Sequence, residues 1–273
     1  MQKIISRYEY AIILIKEMVR SDFKVKYQQS ILGYFWSVLR PLFLFAILYA
    51  VFTVGLRVGG KIDHWPVALM AGTVIWQFFT DVTKSGMRSI VASGSLLRKI
   101  KFPRYTVVIA STLSSLISLL INFVLVAIFA LFNGVPLLPT MPLVILVVIE
   151  IFIFGLGLAF FLSAVNVKFR DIGHIWDILI RGLFYASAII YPISHIAHGA
   201  KGDFVAKVLL LNPVAQVIQD FRYLAINPKI DTLVTLTNGN MILYLIPVSI
   251  SIGTFIFGAW YFRRKSPYFA EDA

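Results

Sequence analysis

The sequence predicts an all-α polytopic membrane protein: six transmembrane helices, an N-terminal interfacial amphipathic helix, and re-entrant outer helices between the fifth and sixth spans. Three observations lead there. Of 273 residues, 59% are hydrophobic and only 14% charged, with a mean hydropathy of +0.84, whereas soluble domains run near 45–50% apolar and about 25% charged. Six apolar runs approach the roughly 20 residues a helix needs to cross a bilayer. The 25 basic residues, set against 13 acidic ones for a net charge of +12, fall mostly on one side of those runs.

The chain opens with an amphipathic arm. At about 100° per residue, Ile4, Ile5, Tyr8, Ile12, Ile15, Val19 and Phe23 share one face, while Lys3, Arg7, Glu9, Glu17, Arg20 and Lys24 occupy the others and Asp22 intrudes at the edge. Such a helix lies in the headgroup plane, apolar side down and basic side toward anionic lipid. Packing on a soluble domain is the plainer alternative, but no soluble domain is visible in this chain. Lys16, Glu17 and Arg20 interrupt the apolar stretch and no small-residue cleavage site follows, so the arm is not read as a signal peptide.

The spans are Phe35–Leu56, Trp65–Val82, Tyr105–Phe132, Met141–Val165, Ile175–Ile193 and Met241–Phe262. An even number puts both termini on one side. With that side cytoplasmic, 17 lysines and arginines face inward and 6 outward, the bias that orients membrane proteins. The +12 is therefore a topology signal and not a nucleic-acid footprint. The chain divides into a cytoplasmic interfacial helix (1–34), a six-helix bundle (35–265) and a cytoplasmic tail (266–273), one transmembrane domain without internal repeats.

Charges inside spans are costly and stand as functional candidates. Glu150, in the outer half of the fourth span, has the means to bind a cation, relay protons, or hydrogen-bond a neighbouring helix, serine or tyrosine. With no intramembrane histidine to pair with it, the structural role is favoured. Asp177 and Arg181 stand at i,i+4 and are expected to neutralise each other; Arg40 is near enough to the inner interface to snorkel. Gly155, Gly157, Ala159 and Ser163 in the fourth span and Ser111, Ser114, Ser115 and Ser118 in the third allow close helix packing.

Aromatic residues at span ends, Trp36, Trp65, Trp76, Tyr105, Trp176, Trp260 and Tyr261, are expected in interfacial belts. Tyr34, Trp36, Phe43, Phe45, Tyr49 and Phe52 around the first span, with Phe184 and Tyr185 in the fifth, are candidates for lining a path. Aromatic faces suit sugar rings, whose C–H surfaces are apolar; core or lipid-facing positions are the plainer reading.

Two connections carry more than a turn. Lys84–Arg104 is polar and basic, with a helical pattern (Ile90, Val91, Leu96, Leu97, Ile100) ended by Phe102-Pro103. It reads either as an ordinary positive-inside loop or as a docking helix whose apolar ridge is edged with Arg98, Lys99 and Lys101. Pro192–Asn240 holds Asn212-Pro213, an N-cap and first helical residue, before the amphipathic run VAQVIQDFRYLAI, which Asn227-Pro228 ends. Short helices dipping back into the outer leaflet are expected.

The sequence offers little that reads as a catalytic motif. Without cysteine there is no disulfide framework, thiolate zinc site or cysteine nucleophile. No GxxxxGK[ST], GxSxG or HExxH occurs. Of His64, His174, His195 and His198 only the last two are close, with no carboxylate cluster beside them, so no metal site, catalytic residue or cofactor is assigned to this chain.

Four stretches together resemble the permease subunits of type-2 ABC exporters for surface polysaccharides such as O-antigen, capsule, rhamnose-rich wall polysaccharide and teichoic acid. DFKVKYQQSILGYFWSVLRPL (Asp22–Leu42) is similar to that family's approach to its first span, through Tyr27, Ser30, Leu32, Gly33, Trp36 and Pro41. SLLRKIKFPR (Ser95–Arg104) resembles its cytosolic segment before the third span. NVKFRDIGHIW (Asn166–Trp176) resembles the fourth-to-fifth loop, and IIYPIS (Ile189–Ser194) with LNPVAQVIQDFR (Leu211–Arg222) the outer re-entrant region. The tail FRRKSPYFAED is similar as well. Each is weak alone; in this order they cover nearly the whole chain.

The resemblance implies a homodimer of this chain in a bacterial plasma (inner) membrane, both termini cytoplasmic, above two copies of a separate cytosolic ATPase that binds ATP and Mg. The arm becomes a gate helix, and Ile90, Leu96, Leu97, Arg98, Lys99 and Lys101 a coupling helix. The implied substrate is an undecaprenyl-diphosphate-linked glycan moved outward, with Arg20, Lys24, Lys26 and Arg40 placed to attract the diphosphate. Competing readings are a type-2 exporter of teichoic acid or of a small lipid or drug, and an ion-coupled secondary transporter using Glu150. A polytopic glycosyltransferase would need a catalytic carboxylate or metal motif that the sequence lacks.

Overall fold

The computed structural model describes residues 10–22, 35–59, 62–99, 102–197 and 199–269. Ile4, Ile5, Tyr8, Phe23, Lys24, Lys26, Tyr34, Lys101 and His198 lie outside them. All regular structure among the described residues is helical. Helix α1 covers 10–22. There follow α2 (Phe35–Leu48), running into a π-helical stretch (Tyr49–Gly55), α3 (Trp65–Ala92), α4 (Gly94–Lys99), α5 (Tyr105–Phe132) and α6 (Val144–Lys168). The chain continues through α7 (Ile172–Ala186), α8 (Gly199–Leu210), α9 (Pro213–Ala225), α10 (Leu233–Leu236) and α11 (Met241–Lys265).

Among the described residues four helical stretches are long and apolar enough to cross a bilayer, Trp36–Gly55, Tyr105–Phe132, Met141–Lys168 and Met241–Tyr268, or five if the bent pair Lys201–Leu210 and Pro213–Ala225 is one span. The four coincide with the first, third, fourth and sixth expected spans. The second and fifth need correction. Helix α3 does not stop at Val82 but runs to Ala92, about 42 Å at 1.5 Å per residue. It is the axle of the fold, with 20 of its 28 residues buried. Thr73, Thr83 and Ser89 donate to carbonyls of their own helix, at Met70, Phe79 and Gly86. Polar residues are thus accommodated inside protein and do not end the helix, and the same residues lower its apolarity as a span. The fifth helix, Ile172–Ala186, stops short of Ile193. Ser187 and Ala188 leave the helix, Ala188 at φ +48°, and Ile189 and Ile190 are buried in the turn.

The helices pack where side chains are small. A Cβ on Gly155 would meet Val82 at 2.3 Å, one on Gly86 would meet Ala159 at 2.4 Å, and one on Gly258 would meet the Gly157 carbonyl oxygen at 2.1 Å. Helices α6 and α11 therefore run side by side at backbone contact, their C-termini together, with Phe160 beside Phe262. Ser111, Ser114, Ser115, Ser118 and Asn122 form the buried polar face of α5, and the Ser85 and Ser115 hydroxyls lie 3.2 Å apart.

The expected aromatic belts hold only in part. Trp65, Trp76 and Trp176 are buried in the core, Trp176 donating its indole N–H to Thr83, whereas Trp36, Tyr105 and Trp260 are exposed. The stripe on α1 also divides. Ile15 and Val19 are half-buried and Met18 packs toward Ile90, Phe262 and Phe269, but Ile12 is 65% exposed.

The bundle has two dissimilar ends. At one, the C-termini of α3, α6 and α11 meet the start of α5 and bring together Arg88, Arg104, Lys168, Arg170 and the Arg263–Lys265 triplet; this is called the basic end below. At the other, Trp65, the α5–α6 connection and α9 are joined by hydrogen bonds from Thr140 to the Leu224 carbonyl and from Asn227 to that of Asp63.

Candidate functional site

Two buried polar groups on α9 organise the Trp65 end. The helix begins as the sequence predicts: the Asn212 side chain accepts from the Val214 N–H at 3.1 Å and Pro213 is the first helical residue. Asn212 also donates to Ser187, fixing α9 to the end of α7. Helices α8 and α9 meet at 98°, the bend of a broken span or of a re-entrant loop.

Arg222, counted from sequence as an outer loop charge, is wholly buried. Its Nε donates to the Ala68 carbonyl (2.9 Å), Nη1 to Ala188 (3.0 Å) and Nη2 to Ile189 (2.7 Å). The guanidinium lies 5.1 Å from the centre of a Trp65 ring. Gln219 donates to the Ala188 carbonyl as well. One planar cation thus satisfies carbonyls that the break in α7 frees and ties them to α3, a task for a rigid fork of donors. Gly72 makes room for it, since a Cβ there would stand 2.7 Å from Nη2.

The second group joins α6, α9 and α11. Gln216, fully buried, donates its amide to Asp220 at 2.5 Å and approaches Glu150 and the Tyr244 hydroxyl, each at 3.4 Å. The Ser251 hydroxyl donates to the Pro247 carbonyl of its own helix at 3.0 Å, and the second Glu150 oxygen is buried without a hydrogen-bond partner among the described residues. Glu150 thus meets one side chain of a neighbouring helix, Gln216.

At mid-bundle the expected Asp177–Arg181 pair gives way to another. Asp177 binds Lys84 of α3 at 2.5 Å, because α3 brings an ammonium directly against α7 while Arg181 faces outward. Arg40 is largely exposed and stands 3.9 Å from Asp81. Arg20, on α1, is exposed; Lys24 and Lys26 are outside the described residues.

The candidate docking segment divides between the end of α3 and a separate helix. Ile90 belongs to the end of α3, fully buried, and leaves the expected ridge because helix propagation continues to Ala92. Among the described residues a separate helix covers Gly94–Lys99, where Leu96 is half-buried and Lys99 exposed; Leu97 and Arg98 lie on the same turns.

The candidate path aromatics split into two sets. Tyr49 and Phe52 pack against the core, with Phe45 5.7 Å from Tyr49, and Phe184 sits edge-on to Trp76. Trp36, Phe43 and Tyr185 face outward. Sequence reasoning missed Gln216, Asp220 and Arg222. The available signal was four polar residues, Gln216, Gln219, Asp220 and Arg222, at three- and four-residue spacings within an apolar run.

These features define a multi-pass membrane protein, all-helical among the described residues, with a sharply bent α8–α9 pair at one end and a basic opposite end. The description ABC-2 type transporter matches residues 13–225. The chain belongs to that family. An O-antigen export system permease protein, RfbA, of Klebsiella pneumoniae is 28% identical over 219 residues, 80% of this chain and 82% of that one. RfbA of Myxococcus xanthus is 27% identical over 217 residues, 79% and 80% of the two chains. The polysialic acid transport protein KpsM of Escherichia coli is 23% identical over 223 residues, 78% and 81%.

Proposed function

We propose that this chain is the transmembrane subunit of an ATP-driven exporter that moves an undecaprenyl-diphosphate-linked polysaccharide from the cytosol to the outer face of the plasma membrane. The observation that carries the reading is the alignment, over about four fifths of both chains, with permeases named for O-antigen and polysialic acid. The helical architecture agrees with it, and the sequence offers no nucleotide-binding motif of its own, so ATP and Mg belong to a cytosolic partner present in two copies.

In this reading the basic end is cytosolic and both termini lie there. Helix α3 is a crossing surrounded by protein, and α7 with the α8–α9 pair forms the fifth crossing and its re-entrant return, giving six. Residues 1–34 form the gate, 35–265 the bundle and 266–273 the tail. Two copies meet along apolar surface that this chain leaves open, such as Phe43, Ile47, Val51 and Val54 on the first span. Helix α4, with Leu96, Leu97, Arg98 and Lys99, takes the push of ATP-driven closure together with Lys101, which follows it in sequence. Arg20 and Arg40, with Lys24 and Lys26, attract the diphosphate, and Trp36, Phe43 and Tyr185 contact sugar rings.

Co-expression with a cytosolic ATPase tests the reading. The expected result is a stable complex and ATP-dependent glycan export, both lost in a Leu96→Asp/Leu97→Asp variant that still reaches the membrane. Neutralising Arg20, Lys24, Lys26 and Arg40 together is expected to lower export with the complex intact. Transport by the purified chain alone would sink the proposal.

A further inference from the structure

A cleft of about 1050 Å³ opens at the basic end between the start of α5, the second half of α6 and the end of α11. Its depth is apolar, lined by Ile109, Leu156, Phe160 and Phe255, and its rim carries Arg104 and Arg263. Neither guanidinium has an ion-pair or hydrogen-bond partner among the described residues. Across the end of α11 a second, smaller cleft of about 380 Å³ repeats the composition, with Lys168 and Lys265 beside Phe169, Tyr261 and Phe269.

Two unpaired cations over an apolar slot select for one chemistry. A free anion has no use for the depth, and a neutral hydrophobe none for the arginines. An amphiphile with an anionic head satisfies both, and the surrounding bilayer supplies it. We propose that the α5–α6–α11 cleft binds one anionic phospholipid, its phosphate held by Arg104 and Arg263 and an acyl chain laid along Leu156, Phe160 and Phe255. Arg104 also stands at the N-terminal end of the 28-residue α5, whose dipole adds to the attraction for a phosphate. The cleft borders the backbone contact between Gly157 and Gly258, so the lipid wedges beside the tightest crossing in the bundle. Only the choice of leaflet, the cytosolic one, rests on the orientation proposed above.

The test uses the purified full-length chain, delipidated in detergent, without ATPase or glycan, so its outcome is independent of the export reading. Dioleoyl phosphatidylglycerol, dioleoyl phosphatidylcholine and glycerol phosphate are added separately, and bound lipid is counted by native mass spectrometry. Retention of phosphatidylglycerol over phosphatidylcholine is expected, with none of glycerol phosphate. Each arginine near an anionic headgroup is worth about fivefold in binding, so Arg104→Gln/Arg263→Gln should weaken phosphatidylglycerol roughly 25-fold. Ala259→Trp, which fills the slot from α11 and keeps both arginines, should also displace it, and Arg170→Gln, an exposed cation of the same end that does not line the cleft, should not. Each variant is matched to the parent by its lipid-free melting curve. Equal retention by the double arginine variant, equal binding of phosphatidylcholine, or binding of glycerol phosphate at the same sites would overturn the proposal. So would undisturbed binding in a folded Ala259→Trp chain.

Discussion

Replacing Arg222 with methionine removes a buried guanidinium while keeping most of its volume, which isolates what its donors contribute. Three carbonyls lose a partner. That of Ala68 lies within α3, where the helical ladder still uses it, and that of Ala188 keeps Gln219 at 3.2 Å. The Ile189 carbonyl, which Nη2 reached at 2.7 Å, has no substitute, and a buried unsatisfied acceptor costs about 1–3 kcal/mol. The other two bonds, from a charged donor, each contribute about 1.5–3 kcal/mol, and the stacking on Trp65 about 1 kcal/mol. Relief of burying an ion offsets a large part of that. The net expectation is a loss of about 3 kcal/mol, or a melting temperature lower by roughly 6–12 °C, with protease cleavage appearing between Ser187 and Leu211. Arg222→Lys should fare no better, because a point-like ammonium cannot span three carbonyls and suffers more on burial. Gly72→Ala, which pushes on Nη2, should cost stability in the parent and little in the methionine background, a coupling that a double-mutant cycle reads directly. A methionine variant that melts within 2 °C of the parent, with no new cleavage, would refute the assignment of Arg222 as the tie between α3, α7 and α9.

Three further outcomes follow from contacts elsewhere. Gly258→Ala puts a methyl 2.1 Å from the Gly157 carbonyl; overpacking against backbone should cost about 1–3 kcal/mol, seen as a lower melting temperature. Lys84→Met should destabilise by about 0.5–1 kcal/mol, since both partners are partly solvated, and the exchange Lys84→Asp with Asp177→Lys should recover most of it. Gln216→Leu strips Glu150 and Asp220 of their shared donor and should cost about 2–3 kcal/mol, more than Glu150→Gln, which still offers an acceptor to Gln216; the reverse ranking in thermal melts would refute a structural role for Glu150.

What the sequence revealed and concealed divides along the range of the interactions. Local signals read true: the Asn212-Pro213 cap, the small-residue crossings on α6, and the four spans whose surfaces are apolar throughout. The spans whose bounds moved, the second and the fifth, are those whose partners are distant. Helix α3 carries Thr73, Asp81 and Lys84 because protein surrounds it, which hydropathy cannot distinguish from a helix losing its hold on the bilayer. Asp177 has an i,i+4 arginine in plain view, yet its partner lies 93 residues away. Arg222 resembles any loop cation until the chain brings it carbonyls from Ala68 and Ile189.

The first span has an unusual standing in its own chain. Only 11% of its most apolar window is buried, against 39% for α6, and Pro41 and the π-helical stretch Tyr49–Gly55 give it two places of irregular backbone. A tilt or slide of this helix exchanges one apolar exterior for another and breaks little that the core depends on. While α3 and α6 are enclosed and α11 touches α6 backbone to backbone, α2 is hung on the outside of that frame by one face, Leu48, Tyr49 and Phe52, like a shutter on its hinges.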